Sequence, residues 1–399
     1  MRQLDSATRQ QAWRLSWAYF GYFAVLALIV PYLGVYLDAL GFQSRQIGEL
    51  IAIATACRIV GPPLWASVTD RTGRRLPAIR IGVVAALIFL LLLTQVDSYL
   101  QVALLLGSLS LFWSAILPQL EVVTLTSLGG HSNLYSRIRA GGSVGFIIIA
   151  LLAAELLAWG GRDSLPLLGA ILLLPLLLCV WLVREPAAPP RTQTRLMGLG
   201  KLLTRRPFVL FILSTVLIQL SFAPFYAFFA LDLGQLGYPP LAVGALIALG
   251  VVAEIGLFMI ASKLVVRFPV SHLLAFCLAV TAVRWALLAE FATVLAWLIF
   301  VQLLHAISFA LHHSTAMRFI HRYFPPEQHG RGQAIYVGIG FGGGGALGAW
   351  LAGLTWQQGE GATLTFLGAA VAAALGAVLA LAMGRREIAD DQLSSAGGQ

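Results

Sequence analysis

Long apolar runs separated by short polar stretches extend along the whole sequence. A helix needs about 20 such residues to cross the hydrocarbon core of a bilayer. Twelve runs have roughly this length, at residues 13–37, 46–68, 77–96, 99–128, 133–159, 165–183, 208–231, 241–262, 271–289, 292–317, 333–355 and 362–383. Strands of a membrane barrel would instead alternate polar and apolar residues over about 10 positions. The pattern predicts an all-α integral membrane protein with twelve transmembrane helices.

The composition supports a membrane protein. Of the 399 residues, 59% are hydrophobic and 11% are charged, whereas a soluble domain has about 25% charged residues. Most connections between runs are short, which leaves no room for a soluble domain. The three cysteines, Cys57, Cys179 and Cys277, all lie within apolar runs, so no disulfide framework is implied.

The basic residues explain the net charge of +9 without a nucleic-acid partner. If the N-terminus is inside, all but four of the 26 Lys and Arg lie in the N-terminal tail, the inner loops, the C-terminal tail or the inner ends of the adjoining runs. Arg45 and Arg162 lie in outer loops, while Arg58 and Arg284 lie within apolar runs. This is the positive-inside asymmetry. We therefore expect a multi-pass protein of the plasma membrane, the bacterial inner membrane, with both termini in the cytoplasm.

The longest inner connection, residues 184–207, is basic and Pro-rich. It predicts a cytoplasmic linker between an N-terminal six-helix bundle at 1–183 and a C-terminal six-helix bundle at 208–399, the latter ending in a short cytoplasmic tail. The two bundles are predicted to be pseudo-symmetric. A shift of 196 residues aligns Gly41 with Gly237, Gly142 with Gly338, Arg71 with Arg267, and Arg58 with Glu254. Duplicated bundles of this kind bind solute near mid-membrane, between the repeats.

Two charged residues in the first half are placed to meet inside the bundle. Glu121 and Arg139 are each nine residues from Gly130, in the turn Gly129–Gly130. On two antiparallel helices they lie at equal depth, on the order of 10 Å from the turn. Charges at such depth usually face a cavity or a partner. The alternative for Glu121 and Arg139 is a purely structural ion pair. Arg58 has no evident partner, and a structural role is its simplest interpretation.

The second half repeats this arrangement. Glu254 and Arg284 are each 15 residues from Pro269, and Arg284 and His305 lie about ten residues either side of the turn at 291–294. All three are predicted at similar depth on consecutive helices. The alternatives are a structural pair of Glu254 with Arg284 and a hydrogen-bonded core histidine at His305. The neighbouring His312 and His313 are expected at the membrane interface, without a metal.

The loop ASVTDRTGRR, residues 66–75, resembles the signature loop of the major facilitator superfamily. Ala66 stands where the signature has its leading glycine. The matching residues are Asp70, Arg71, Gly73, Arg74 and Arg75. A carboxylate at a helix end can pair with an arginine in one state and release it in another, so the loop is interpreted as a conformational latch. A basic topology anchor is the alternative.

Two further segments resemble the phenylpropionate permease branch of that superfamily, which is related to lactose permease and nucleoside–proton symporters. LYSRIRAGGSVGF, residues 134–146, is similar to its fifth-helix signature, and QLLHAISFALHH, residues 302–313, to its tenth-helix signature. The resemblance covers essentially the whole chain. It implies the major facilitator fold and a proton-coupled importer of a small solute.

The resemblance also implies roles for individual residues. The solute-binding glutamate and arginine of lactose permease correspond to Glu121 and Arg139, and its proton-coupling set corresponds to Glu254, Arg284 and His305. Ser308 stands where the lactose-type pattern has an acid, so Glu254 or Glu121 has to carry any coupled proton. The aromatic residues assigned to solute binding are Trp113, Phe146 and Tyr226. With Arg139 these rings suit an aromatic carboxylate, because the guanidinium holds the carboxylate while the rings stack; a carbohydrate is the other solute considered.

The sequence thus favours a secondary active transporter that works as a monomer by alternating access. Its partners are a small solute, protons and the bilayer, with the proton gradient as energy source and no cofactor or metal. A proton-coupled exporter is the first alternative, although helix five lacks the proline of the Gly-Pro motif of drug antiporters. An intramembrane enzyme would need paired carboxylates or metal ligands, and a sensor would need a signalling domain; neither an enzyme nor a sensor is favoured.

Overall fold

The computed structural model describes residues 6–128, 132–185 and 199–384. Within these ranges twelve helices are long and apolar enough to cross a membrane. Their bounds are α1 Ser6–Ala39, α2 Ser44–Thr72, α3 Leu76–Leu93, α4 Tyr99–Ser127, α5 Ser132–Gly160, α6 Leu165–Leu182, α7 Arg206–Gln235, α8 Pro240–Arg267, α9 Val270–Phe291, α10 Leu295–Tyr323, α11 Pro326–Gly359 and α12 Ala362–Ala382. The prediction of an all-α membrane protein with twelve spans is confirmed.

Some predicted features lie outside the described residues. These are the Gly129–Gly130 turn, most of the predicted linker, and the C-terminal tail from residue 385 onwards. The described chain forms two compact units. The first contains the described residues up to 185 together with 226–248, and the second contains residues 199–225 and 249–384. The division into bundles at 1–183 and 208–399 stays a prediction.

Many large apolar side chains are exposed on the outside of the helices. Trp159 is 93% exposed and Met259 is 78% exposed, with leucine, isoleucine and phenylalanine at dozens of similar positions. In water each square ångström of such surface costs about 25 cal/mol. The exposed apolar surface is therefore a lipid-facing surface, which is what the composition predicts.

In the first unit, glycines let α5 lie close against α1. A Cβ at Gly145 would be 2.5 Å from the carbonyl oxygen of Phe20, and one at Gly141 would be 2.9 Å from that of Ser16. Small residues allow helix backbones to approach in membranes. This close approach brings Arg139, on α5, next to the aromatic residues of α1.

In the second unit, α11 lies equally close to α7. A Cβ would come within 2.5 Å of α7 atoms at Gly340, Gly344 and Gly348. Both α10 and α11 contain π-helical segments, at Ile307–Leu311 and Tyr336–Gly344. Such segments are rare and occur frequently at functional sites.

The predicted repeat is visible in the turns that follow α1 and α7. Gly41 has φ +83° and Gly237 has φ +82°, in the left-handed region that favours glycine. The amides of the next residues, Phe42 and Tyr238, each donate to a carbonyl five residues earlier. These are matching Schellman caps, and the helices that follow begin at residues 44 and 240. The two glycines, and likewise the two helix starts, are separated by the shift of 196 residues found in the sequence.

Segment 226–248 is held within the first unit by close backbone contacts. A Cβ at Gly34 of α1 would be 1.8 Å from the carbonyl oxygen of Ala227. A Cβ at Gly244 of α8 would be 2.5 Å from the carbonyl oxygen of Leu151 on α5. Near the start of α8, the carboxylate of Glu155 accepts the amide hydrogen of Leu241 at 3.0 Å. We refer to these contacts as the α1–α7 and α5–α8 contacts.

Candidate functional site

The first charged cluster contains Glu121 of α4 and Arg139 of α5. Arg139 Nε lies 3.9 Å from Glu121 Oε1, so the two side chains meet as predicted. Their exposed fractions are 34% for Arg139 and 38% for Glu121. The separation exceeds the roughly 2.7–2.9 Å of a charge-assisted hydrogen bond. The pair is therefore loose and accessible, so a negatively charged group that enters the site can compete for the guanidinium.

Aromatic rings of α1 cover the guanidinium of Arg139. Its carbon Cζ lies 4.2 Å from the centre of the Phe23 ring and 5.6 Å from that of Tyr19, within cation–π range. Gly142, one turn after Arg139, makes room for Phe23, because a Cβ there would be 2.6 Å from that ring. Sequence reasoning missed Phe23. Its four-residue spacing from Tyr19, which puts both rings on one helix face, could have identified it.

A second aromatic pair borders the same cluster. Tyr22 stacks on Trp113 at a centroid distance of 4.6 Å and an interplanar angle of 15°. The regular α4 helix is interrupted directly after Trp113, at residues 114–115, where Pro118 cannot donate its backbone hydrogen bond to residue 114. Tyr22 also lies within electrostatic range of Arg58, Glu121 and Arg139.

Arg58, which has no partner evident from the sequence, lies beside this cluster in the structure. Arg58 lies within electrostatic range of Tyr22 and of Tyr226, one of the predicted solute-binding residues. Tyr226 is half-buried, and so is Phe146, which lies on α5 seven residues beyond Arg139. The predicted solute-binding residues thus share the first unit, and two of them, Arg139 and Trp113, contact aromatic residues of α1.

The second charged cluster lies in the second unit and has different properties. The carboxylate of Glu254 on α8 contacts Nε2 of His305 on α10 directly. Arg284 of α9 is fully buried, and its Nε donates to the carbonyl oxygen of Val301 at 3.0 Å. Its Nη2 lies 3.5 Å from Oε1 of Gln302. The three predicted residues therefore gather on α8, α9 and α10, with the carboxylate paired to the histidine.

Aromatic rings also surround the guanidinium of Arg284. Its Cζ lies 4.2 Å from the Trp285 ring, 4.8 Å from Phe225 and 5.4 Å from Phe222. A buried charge is costly unless it is well partnered, and these ring faces and hydrogen bonds supply partners. The hydroxyl of Ser308 donates to the carbonyl of Leu304 in its own helix at 3.1 Å.

The predicted latch loop connects three helices of the first unit. Nη1 of Arg75 donates to Oε1 of Gln119 on α4 at 2.8 Å, and Nη2 lies 3.7 Å from Asp70 at the end of α2. The carboxylate of Glu185 accepts the backbone amides of Arg75 and Leu76 at the start of α3, where the helix dipole favours a negative charge. Sequence reasoning missed both Gln119 and Glu185.

The remaining latch residues lie at the end of α2 and in the turn that follows it. Gly73 ends α2 with φ +69°, and its amide donates to the carbonyl of Thr69. Arg71 and Arg74 are exposed. Among the residues that the structure describes, no group of three His, Cys, Asp or Glu side chains could hold a metal ion.

His312 and His313, expected at the membrane interface, pack against neighbouring side chains of the second unit. His312 is 2% exposed, and Nδ1 of His313 lies 3.3 Å from the hydroxyl of Tyr336. The apolar run predicted for this span ends at 317, whereas α10 continues to Tyr323. The two histidines therefore lie about 15 Å before the end of the helix.

Comparison with known proteins identifies transporters. The model of the MFS_1 like family matches residues 12–368. A protein of Escherichia coli (strain K12) named "Probable 3-phenylpropionic acid transporter" is 29% identical, over 86% of this chain and 90% of its own length. Maltose permease of Geobacillus stearothermophilus is 27% identical, over 92% of this chain and 93% of its own.

A solved structure supports the same fold. The crystal structure of the nucleoside transporter NupG superposes with a TM-score of 0.82 at 17% identity, covering 94% of this chain and 98% of that chain. At this identity the similarity shows the fold alone. The major facilitator fold expected from the signature segments is thus confirmed.

Proposed function

Since this chain belongs to the MFS_1 like family of membrane transporters, we propose that it is a proton-coupled symporter that imports an aromatic carboxylate. Arg139 carries the proposal. Its guanidinium lies over the rings of Phe23 and Tyr19, yet a third of the side chain is exposed and its carboxylate partner is 3.9 Å away. A guanidinium binds a carboxylate with two parallel hydrogen bonds, and adjacent rings stack on an aromatic solute.

Glu121 gives this site a second function. In the absence of solute its carboxylate partly neutralises Arg139 from α4. A solute carboxylate would displace it from the guanidinium, and the attraction that joins α4 to α5 would then weaken. Binding would thereby alter the packing of two helices in the first unit, which is the differential interaction that a change between conformations requires.

Glu254 is our candidate for the proton carrier. A carboxylate changes its charge when it takes a proton, and its contact with His305 changes with it. Protonated Glu254 donates to the imidazole, whereas ionised Glu254 accepts from the imidazole N–H. Arg284 is held in place by Val301 and the surrounding rings and provides a constant positive charge beside the pair. The net charge of this cluster therefore changes when Glu254 gains or loses its proton.

Alternating access requires contacts that form in one state and break in another. The Asp70–Arg75–Gln119 contacts join the ends of α2, α3 and α4, and the α1–α7 and α5–α8 contacts lie at the end of α1 near Ala39. By the positive-inside pattern the first set lies inside and the second outside. We propose that the outer contacts separate when the carrier opens to the outside.

Uptake into proteoliposomes tests this function. With an inward proton gradient, labelled 3-phenylpropionate should accumulate in vesicles that contain the protein and should not accumulate in protein-free vesicles, which correct for diffusion of the neutral acid. Arg139→Gln should abolish this accumulation. Maltose, suggested by the permease relative, serves as the competing solute. Accumulation of maltose in place of 3-phenylpropionate would contradict the solute assignment, and solute extrusion as protons enter would contradict import.

A further inference from the structure

A column of stacked rings on α10 continues from the second charged cluster towards the C-terminal end of the helix. His305, Phe309 and His313 follow one another at four-residue spacing, which places them on one face. The centroids of His305 and Phe309 are 5.9 Å apart, and those of Phe309 and His313 are 6.3 Å apart, with 8° between the planes in each case. At its beginning, His305 contacts the Glu254 carboxylate.

The other end of the column meets α11. Nδ1 of His313 lies 3.3 Å from the hydroxyl of Tyr336, whose side chain is fully buried. Phe341 packs edge-on against Phe309 and His313, at 6.4 and 6.5 Å. The π-helical segment of α10 lies between the two histidines of the column, and that of α11 begins at Tyr336. Phe309 and Phe341 bring the two segments into contact, and π-helical segments occur frequently at functional sites.

The titratable groups around His313 come from three helices. They are Glu254 of α8, the adjacent His312 of α10 and Tyr336 of α11. Towards α9, Leu311 packs in an apolar cluster with Cys277. Glu254 therefore contacts His305 and also lies within electrostatic range of His313. Imidazole is the side chain whose charge changes most readily near neutral pH.

We propose that His313, held by Tyr336, is the inner relay that exchanges the proton of Glu254 with the cytoplasm; this inference rests on the proton coupling proposed above. In the tautomer that this relay requires, the Nδ1–H of His313 donates to the Tyr336 oxygen, and the Nε2 lone pair is left to take a proton. When Glu254 leaves His305, its carboxyl proton passes to Nε2, and neutral His313 becomes an imidazolium. The imidazolium then releases that proton to water, and no other bond changes.

Two variants separate this relay from a packing role. His313→Phe keeps an aromatic ring between Phe309 and Phe341 and removes both ring nitrogens. Tyr336→Phe removes one hydroxyl and leaves the buried ring in place, so it tests the same contact if the first variant does not fold. His272→Phe is the matched control, because His272 is an exposed histidine of α9 outside the column.

Two assays on proteoliposomes, with 3-phenylpropionate as the probe, report on different steps. Exchange of labelled for unlabelled solute at equal concentrations moves no net proton. Net uptake driven by a pH gradient requires proton release inside. Both relay variants should retain exchange, while their net uptake and solute-driven proton movement should fall by about 10²-fold, the lower end of what a positioned acid–base group contributes. The control should match the wild type in both assays.

The possible outcomes are distinguishable. If the wild type couples solute to protons and both relay variants do so equally well, the relay is overturned while the proposed function stands. Loss of exchange together with net uptake in both variants would assign the pair a structural role and would likewise overturn the relay. If the wild type moves 3-phenylpropionate without protons, or does not move it, the proposed function fails and the relay fails with it.

Discussion

Gly34 provides the sharpest structural test of alternating access. A Cβ added there would be 1.8 Å from the Ala227 carbonyl oxygen, whereas real Cβ atoms essentially never come within 3.0 Å of such a neighbour. The obstructing atom is backbone, so no side-chain rotation relieves the clash, and α1 and α7 must separate by about 1 Å or more. Overpacking of this kind costs about 1–3 kcal/mol.

This cost applies only to conformations in which α1 and α7 touch at Gly34. In Gly34→Ala the equilibrium should therefore shift towards the outward-open state by about 5- to 150-fold, the population ratio that corresponds to 1–3 kcal/mol. Gly234→Ala is the matched control. Gly234 lies on α7, in the same segment as Ala227, and a Cβ added there meets nothing within 4 Å. The control therefore reproduces the intrinsic effect of a helical alanine without the clash.

Alkylation of an introduced cysteine measures the shift. Ala154 of α5 is 8% exposed and lies beside the segment 226–248. Ala154→Cys would be placed in a background without Cys57, Cys179 and Cys277, and treated with a membrane-impermeant maleimide from outside. Its reaction rate should rise in Gly34→Ala relative to Gly234→Ala. Equal rates in the two variants would refute the assignment of the α1–α7 contact as a closure that opens during transport.

Three further substitutions test individual parts of the site. Arg139→Lys should retain stability but lose most uptake, because an ammonium lacks the planar two-donor edge; wild-type uptake would remove Arg139 from solute binding. Glu254→Gln should retain solute exchange but lose solute-driven alkalinisation of the medium, and unchanged alkalinisation would exclude Glu254 as proton carrier. Arg75→Ala should slow initial uptake, because hydrogen bonds to a charged group contribute about 1.5–3 kcal/mol; the exposed Arg9→Ala is its control, and equal rates in both would mean that the loop is only a topology anchor.

The matched level of Glu121 and Arg139 on neighbouring helices could be predicted from the sequence, because position along a helix depends only on residue count at a fixed rise. Glu121 and Arg139 therefore meet as the count indicates. Rotation about the helix axis cannot be counted in the same way. Glu254, Arg284 and His305 lie on neighbouring helices as predicted. The contact of Glu254 with the imidazole depends on how those helices are rotated when they pack, and it could not be predicted.

Residues that depend on long-range packing could not be predicted. Gln119 and Glu185 reach Arg75 across 44 and 110 residues of sequence, and no local pattern marks them. The surroundings of His313 could not be predicted for a different reason. The apolar run ends at residue 317 whereas α10 continues to Tyr323, so the run underestimates how far the histidine lies from the end of the helix.

Proton movement driven by solute addition is the measurement that decides whether this protein couples a carboxylate to protons. Proteoliposomes in weakly buffered medium would receive 3-phenylpropionate or its uncharged amide, with protein-free vesicles as the correction for diffusion of the neutral acid. With the wild type we expect alkalinisation of the medium on addition of the carboxylate and none on addition of the amide. With Glu254→Gln we expect no alkalinisation beyond that of protein-free vesicles. Equal traces with and without the protein, while labelled 3-phenylpropionate still enters, would contradict the proposed proton coupling.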